Sequence, residues 1–112
     1  MSQITTHILD ISKGKPAHGV SIILYQQNNQ GWQEIAKSVT NEDGRIPDLL
    51  ARDFVLPFGN YKMKFKTKEY FDQQAIDTFY PYVEITFEIK TIEHYHIPLL
   101  LSPFGYSTYR GS

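Results

Sequence analysis

The stretch Tyr61-Lys62-Met63-Lys64-Phe65-Lys66 alternates strictly, with Tyr61, Met63 and Phe65 separated by lysines. Side chains of a strand point to opposite faces with a period of two, so this segment reads as a strand with one face on a core and one in solvent. Val83, Ile85, Phe87 and Ile89 alternate in the same way with Glu84, Thr86, Glu88 and Lys90. Upstream, Ile4 to Asp10 reads as a strand ended by the turn or loop Lys13-Gly14-Lys15-Pro16. Val20 to Gln26 is apolar on both faces, which predicts a central strand, and the turn Gln27 to Gly31 leads into a return strand, Trp32 to Val39. Asn41-Glu42-Asp43-Gly44 is a second tight turn with Arg45 at its exit. Pro47 limits Ile46 to Leu50 to a short edge piece.

Phe71, Ala75 and Phe79 recur at helical spacing, which predicts one short helix over Glu69 to Thr78, stopped by Pro81. His94 to Leu101 reads as a strand, Ser102 to Gly105 as a turn, and Tyr106 to Arg110 as a last strand. The sum is an all-β fold, an antiparallel β-sandwich of about eight strands with one short helix, because strands follow one another without the helices a parallel design needs. The whole chain, 1–112, is expected to form a single domain.

Composition narrows the function. The formal net charge is -1, which gives no footprint for nucleic acid or an anionic membrane. No apolar run approaches the ~18 residues of a membrane span. There are no cysteines, so thiolate zinc sites and disulfides are excluded. The N-terminal residues show no signal-peptide pattern, and a cytoplasmic location is the expectation. No nucleophile elbow, Walker motif or dinucleotide fingerprint occurs. Chemistry must therefore come from His, carboxylate, hydroxyl, Arg or Lys side chains.

Histidine stands out. In His94-Tyr95-His96 the two imidazoles, two residues apart on a strand, face the same way. Such a pair suits proton transfer or zinc, or is simply two surface histidines near a strand end. His7 lies in the first strand between Thr6 and Ile8, Arg45 follows the Asp43-Gly44 turn, and His18 sits in a loop where solvation is expected. Tyr109-Arg110-Gly111-Ser112 follows a strand pattern instead of fraying, so it is a candidate for packing into a site.

Two longer segments carry a resemblance. His7-Ile8-Leu9-Asp10 with Gly14, Pro16 and Ala17 resembles the opening motif of the transthyretin family, and Tyr95 to Ser107 (YHIPLLLSPFGYS) resembles its closing motif. Tyr109-Arg110-Gly111-Ser112 is similar to the tetrapeptide that marks the family's enzyme branch, the 5-hydroxyisourate hydrolases, and that the hormone-carrier branch lacks. The resemblance spans essentially the whole chain. It implies hydrolysis of a cyclic amide in a product of urate oxidation, with no cofactor, no metal, and a homotetramer built as a dimer of dimers. It further implies catalytic roles for His7, Arg45, His96 and Ser112, and substrate contacts from His7, Arg45, His96, Tyr109 and Arg110. Either His7 or His96 would be the base, with Ser112 holding a histidine tautomer through its hydroxyl or a terminal carboxylate. His94 and His18 match no functional position of that pattern. The competing readings are a hormone-like carrier, a zinc site of His7, His94 and His96, and a purely structural sandwich.

Overall fold

The computed structural model describes residues 2–112. The strands are β1 (Ile4–Asp10), β2 (Lys15–Pro16), β3 (Ser21–Asn28), β4 (Gly31–Val39), β5 (Gly59–Phe65), β6 (Val83–Ile89), β7 (Tyr95–Ser102) and β8 (Gly105–Thr108), with α1 (Thr67–Asp72) between β5 and β6. They form two four-stranded sheets, ordered β2-β1-β7-β8 and β4-β3-β5-β6. The alternating residues close the core between them. Tyr61, Met63 and Phe65 from β5 lie fully buried with Ile4 and Ile8 of β1 and Leu99 of β7. Burying Met63 and Phe65 contributes about 1.5–3 kcal/mol each. β3 is central, between β4 and β5, as its two apolar faces predict. No helix among the described residues is long and apolar enough to cross a membrane.

One pairing departs from the antiparallel expectation. β1 and β7 run parallel over seven residues, from Ile4↔Tyr95 to Asp10↔Leu101. Period-two alternation says which face a residue occupies but nothing about chain direction. A short hairpin would have imposed antiparallel pairing, but here the entire second sheet lies between the two strands in sequence, leaving direction free.

The helix is shorter than its spacing suggests, ending at Asp72 and not Thr78. Ala75 takes a left-handed conformation (φ 55), while the amides of Ala75 and Ile76 return to the carbonyls of Asp72 and Phe71. That is a Schellman stop, which usually announces itself with glycine. Phe71 is therefore core, whereas Phe79 is exposed. Ile46 to Leu50 forms no strand. Ile46, Leu49 and Leu50 turn inward as part of the core. The lysine face of β5 is also less solvated than alternation implies. Lys62 Nζ sits 4.6 Å from the Trp32 ring centroid and 3.3 Å from Glu84, and Lys64 Nζ is 4.2 Å from the Tyr82 ring. Aromatic faces cover these ammonium groups while their stems cover apolar surface.

α1 is tied to the first sheet by a buried polar contact. The Asp10 carboxylate accepts from the Tyr70 hydroxyl at 2.7 Å and from the Ser12 amide and hydroxyl. Burial, then the Asp10 carboxylate, push the Tyr70 hydroxyl up to about 12, so it stays a donor. Tyr70→Phe should cost about 1–3 kcal/mol by stranding a buried acceptor. Urea unfolding would measure it, and an unchanged midpoint would show that this bond contributes nothing to stability.

Candidate active site

The β1–β7 register places the histidines. Thr5 lies beside His96, and His7 beside Pro98. Ile4, Thr6 and Ile8 point into the core, so Thr5 and His7 share the outer face with His96. His94, just before β7, faces the same way, its ring stacked 6.2 Å from that of His96.

Arg45 is delivered by the Asn41 turn. The Asn41 side-chain oxygen accepts the amides of Asp43 and Arg45, and the Asn41 carbonyl accepts the Gly44 amide. The turn docks on β1 through the Ile8 amide, which donates to the Gly44 carbonyl at 2.9 Å, and Arg45 bridges to His7. Gly44 is required twice over: its φ is +72, and a Cβ there would lie 2.5 Å from the Ile8 carbonyl oxygen. Arg45 is in none of the ion pairs formed among the described residues.

The C-terminal segment leaves β8 and crosses β7. The Gly111 amide donates to the His96 carbonyl at 2.9 Å. A Cβ on Gly111 would stand 2.5 Å from His96 Cδ2 and 3.1 Å from Pro98 Cγ, so only glycine lets the chain lie against this ring.

Together these elements line a cavity of about 810 Å³ containing His7, Arg45, His96, Tyr109 and Ser112. Thr5, Asp43, His94 and Gly111 also line it. Arg110 is directed elsewhere, its guanidinium 4.4 Å from the Tyr95 ring centroid and 3.2 Å from Glu93, beside a neighbouring cavity of about 490 Å³. His18 is exposed, away from the site. Among the described residues no group of three or more His, Cys, Asp or Glu is arranged to hold a metal ion. Sequence reading gave no role to Thr5 or to the missing Cβ of Gly111, and for His94 it offered a proton-transfer or zinc pair with His96 but no link to Thr5. Two of these depend on which strand lies beside β1, and the third on where the C-terminal segment crosses.

Both site histidines favour the neutral form. Burial and then the Arg45 charge lower His7 from its ordinary 6.5, against an opposing hydrogen bond and charge from Asp43. Burial lowers His96 as well, followed by the charges of Arg45, His94 and His7, against the raising effect of the Thr5 backbone. Two neutral imidazoles beside an unpaired guanidinium can accept a proton, return one, and hold a developing oxyanion.

A two-sheet sandwich carrying a His–Arg–His cavity on its outer face defines a class, and comparison identifies it. The chain belongs to the HIUase/Transthyretin family, whose model matches residues 4–111. It is 48% identical to the 5-hydroxyisourate hydrolase of Salmonella dublin over 110 residues, covering 97% of this chain and 80% of that protein. Klebsiella pneumoniae 5-hydroxyisourate hydrolase superposes with a TM-score of 0.85 at 38% identity, over 97% of this chain and 92% of the other. Sea bream transthyretin in complex with thyroxine superposes with a TM-score of 0.91 at 34% identity, over 98% and 95%.

In an NMR titration, His7 and His96 should both show midpoints below 6.5. Arg45→Met should raise both, because a neighbouring positive charge opposes protonation. Midpoints that stay put in that variant would show that the guanidinium does not act on the rings.

Proposed function

We propose that this chain hydrolyses the cyclic amide of 5-hydroxyisourate in urate degradation, giving 2-oxo-4-hydroxy-4-carboxy-5-ureidoimidazoline. The observation that carries this reading is the convergence of His7, Arg45, His96, Tyr109 and Ser112 on one cavity. The relatives' names supply the substrate. A neutral imidazole takes a proton from water as the water oxygen bonds to the ring carbonyl carbon. The ring C–N bond then breaks, and the departing nitrogen receives a proton from a histidine. His96 is the better base: its Nδ1 is engaged by the Thr5 hydroxyl at 2.8 Å, so in the tautomer with its hydrogen on Nδ1 the Nε2 lone pair is left for the water. The proton that His96 took from water passes to the departing nitrogen, directly or relayed through His7, which restores both neutral imidazoles, and Arg45 stabilises the oxyanion. Tyr109 binds the polar edge of the substrate and Ser112 positions a histidine. Arg110 contacts substrate only after leaving Glu93, so its closer role is to fix the C-terminal segment through Tyr95.

The reading includes a cytoplasmic homotetramer, a dimer of dimers acting without cofactor or metal. The edge strands β6 and β8 are open for pairing with a second copy. A carrier is the second reading, favoured by the thyroxine complex among the structural neighbours. Against it, the cavity here is walled by imidazole and guanidinium groups.

The test is an ultraviolet assay in which urate oxidase generates 5-hydroxyisourate in situ. Decay should run well above the spontaneous rate, and His96→Asn should lower turnover by on the order of 10²–10⁴-fold. Decay no faster than buffer would sink the hydrolase and promote the carrier. Gly111→Ala should cost about 10²-fold by displacing the C-terminal segment, since misplacement by about 1 Å can cost that much. Full activity in that variant would remove the segment from the site.

A further inference from the structure

The Thr5 hydroxyl stands between two imidazoles. Its Oγ1 lies 2.6 Å from His94 Nε2 and 2.8 Å from His96 Nδ1. A hydroxyl carries a single proton, so it donates to one ring and accepts from the other. Two arrangements satisfy both contacts. In one, His94 Nε2–H donates to Oγ1, whose proton goes to His96 Nδ1. His96 Nε2 then carries a hydrogen and offers the cavity no lone pair. In the other, His96 Nδ1–H donates to Oγ1, whose proton goes to His94 Nε2, and His96 Nε2 is free. Only the second arrangement gives His96 the free Nε2 lone pair that a base needs.

We propose that His94 is a positioning residue, accepting the Thr5 hydroxyl proton at Nε2 so that Oγ1 accepts Nδ1–H of His96 and the Nε2 lone pair of His96 faces the cavity. His94 stays clear of the reacting atoms and acts through one hydroxyl on the tautomer of its neighbour. The bridge exists because the β1–β7 register sets Thr5 beside His96, while the residue two before it shares its face. The proposal rests on His96 as the base, but the tautomer it assigns is measurable without substrate.

Nitrogen-15 NMR of the imidazoles in the full chain tests it. The unmodified protein should show neutral His96 as the Nδ1–H tautomer. Thr5→Val keeps the β-branched shape and removes the bridge, and His94→Phe removes the acceptor at a position outside the strand. Each should move His96 toward a mixture of tautomers. In the urate oxidase-coupled assay each should lower kcat by about 10–100-fold, the range carried by groups that orient a metal-bound histidine. KM should change little, and Thr5→Ser should recover most of the kcat lost in Thr5→Val. An unaltered His96 spectrum in both Thr5→Val and His94→Phe would overturn the proposal, as would an Nε2–H tautomer in the unmodified protein. If His96→Asn proves fully active, the base assignment falls, and the spectrum still decides whether His94 sets the tautomer.

Discussion

Everything at the site depends on the register of the parallel pair β1 and β7. Aligning Thr5 with His96 and His7 with Pro98 puts two imidazoles and a bridging hydroxyl on one face, while Ile4, Ile8, Leu99 and Leu101 fill the core behind them. Slipping either strand by one residue would turn the histidines inward and the aliphatic residues out. The apolar alternation that folds the sheet therefore also sets His7 and His96 on the face that lines the cavity.

The other components come to this pair through close backbone approach. The turn bearing Arg45 and the C-terminal segment bearing Tyr109 and Ser112 each dock through a 2.9 Å backbone bond, to β1 and to β7. Each docks at a glycine where a Cβ would meet its neighbour at 2.5 Å. The Gly44 contact keeps Arg45 beside β1, where its charge adds to burial in lowering both rings.

Strand positions were legible in the sequence because half-buried strands write their faces into period-two alternation, as in Tyr61 to Phe65. His7, Arg45, His96, Tyr109 and Ser112 were legible through motif resemblance, and their meeting in one cavity fits that reading. What stayed hidden were properties of pairs distant in sequence. The direction of β1 against β7, the Thr5 bridge and the turning of Arg110 toward Glu93 have no local signature. The early helix stop was hidden for a different reason: Ala75 occupies a backbone conformation that glycine usually marks.

The parallel pair also shapes how the molecule comes into being. Thr6 and Ile97, whose side chain and carbonyl join the two strands, are 91 residues apart. During synthesis β1 is made long before β7, and until β7 appears one side of β1 has no backbone partner except what chance offers. Contacts of such separation close slowly, and unpaired apolar strands are the segments most prone to wrong association. The face carrying His7 and His96 cannot form before β7 is made, and a nascent or truncated chain lacking β7 would present Ile4, Ile8 and an open ladder to its surroundings. For this fold the aggregation hazard lies in the delay between its first strand and its seventh.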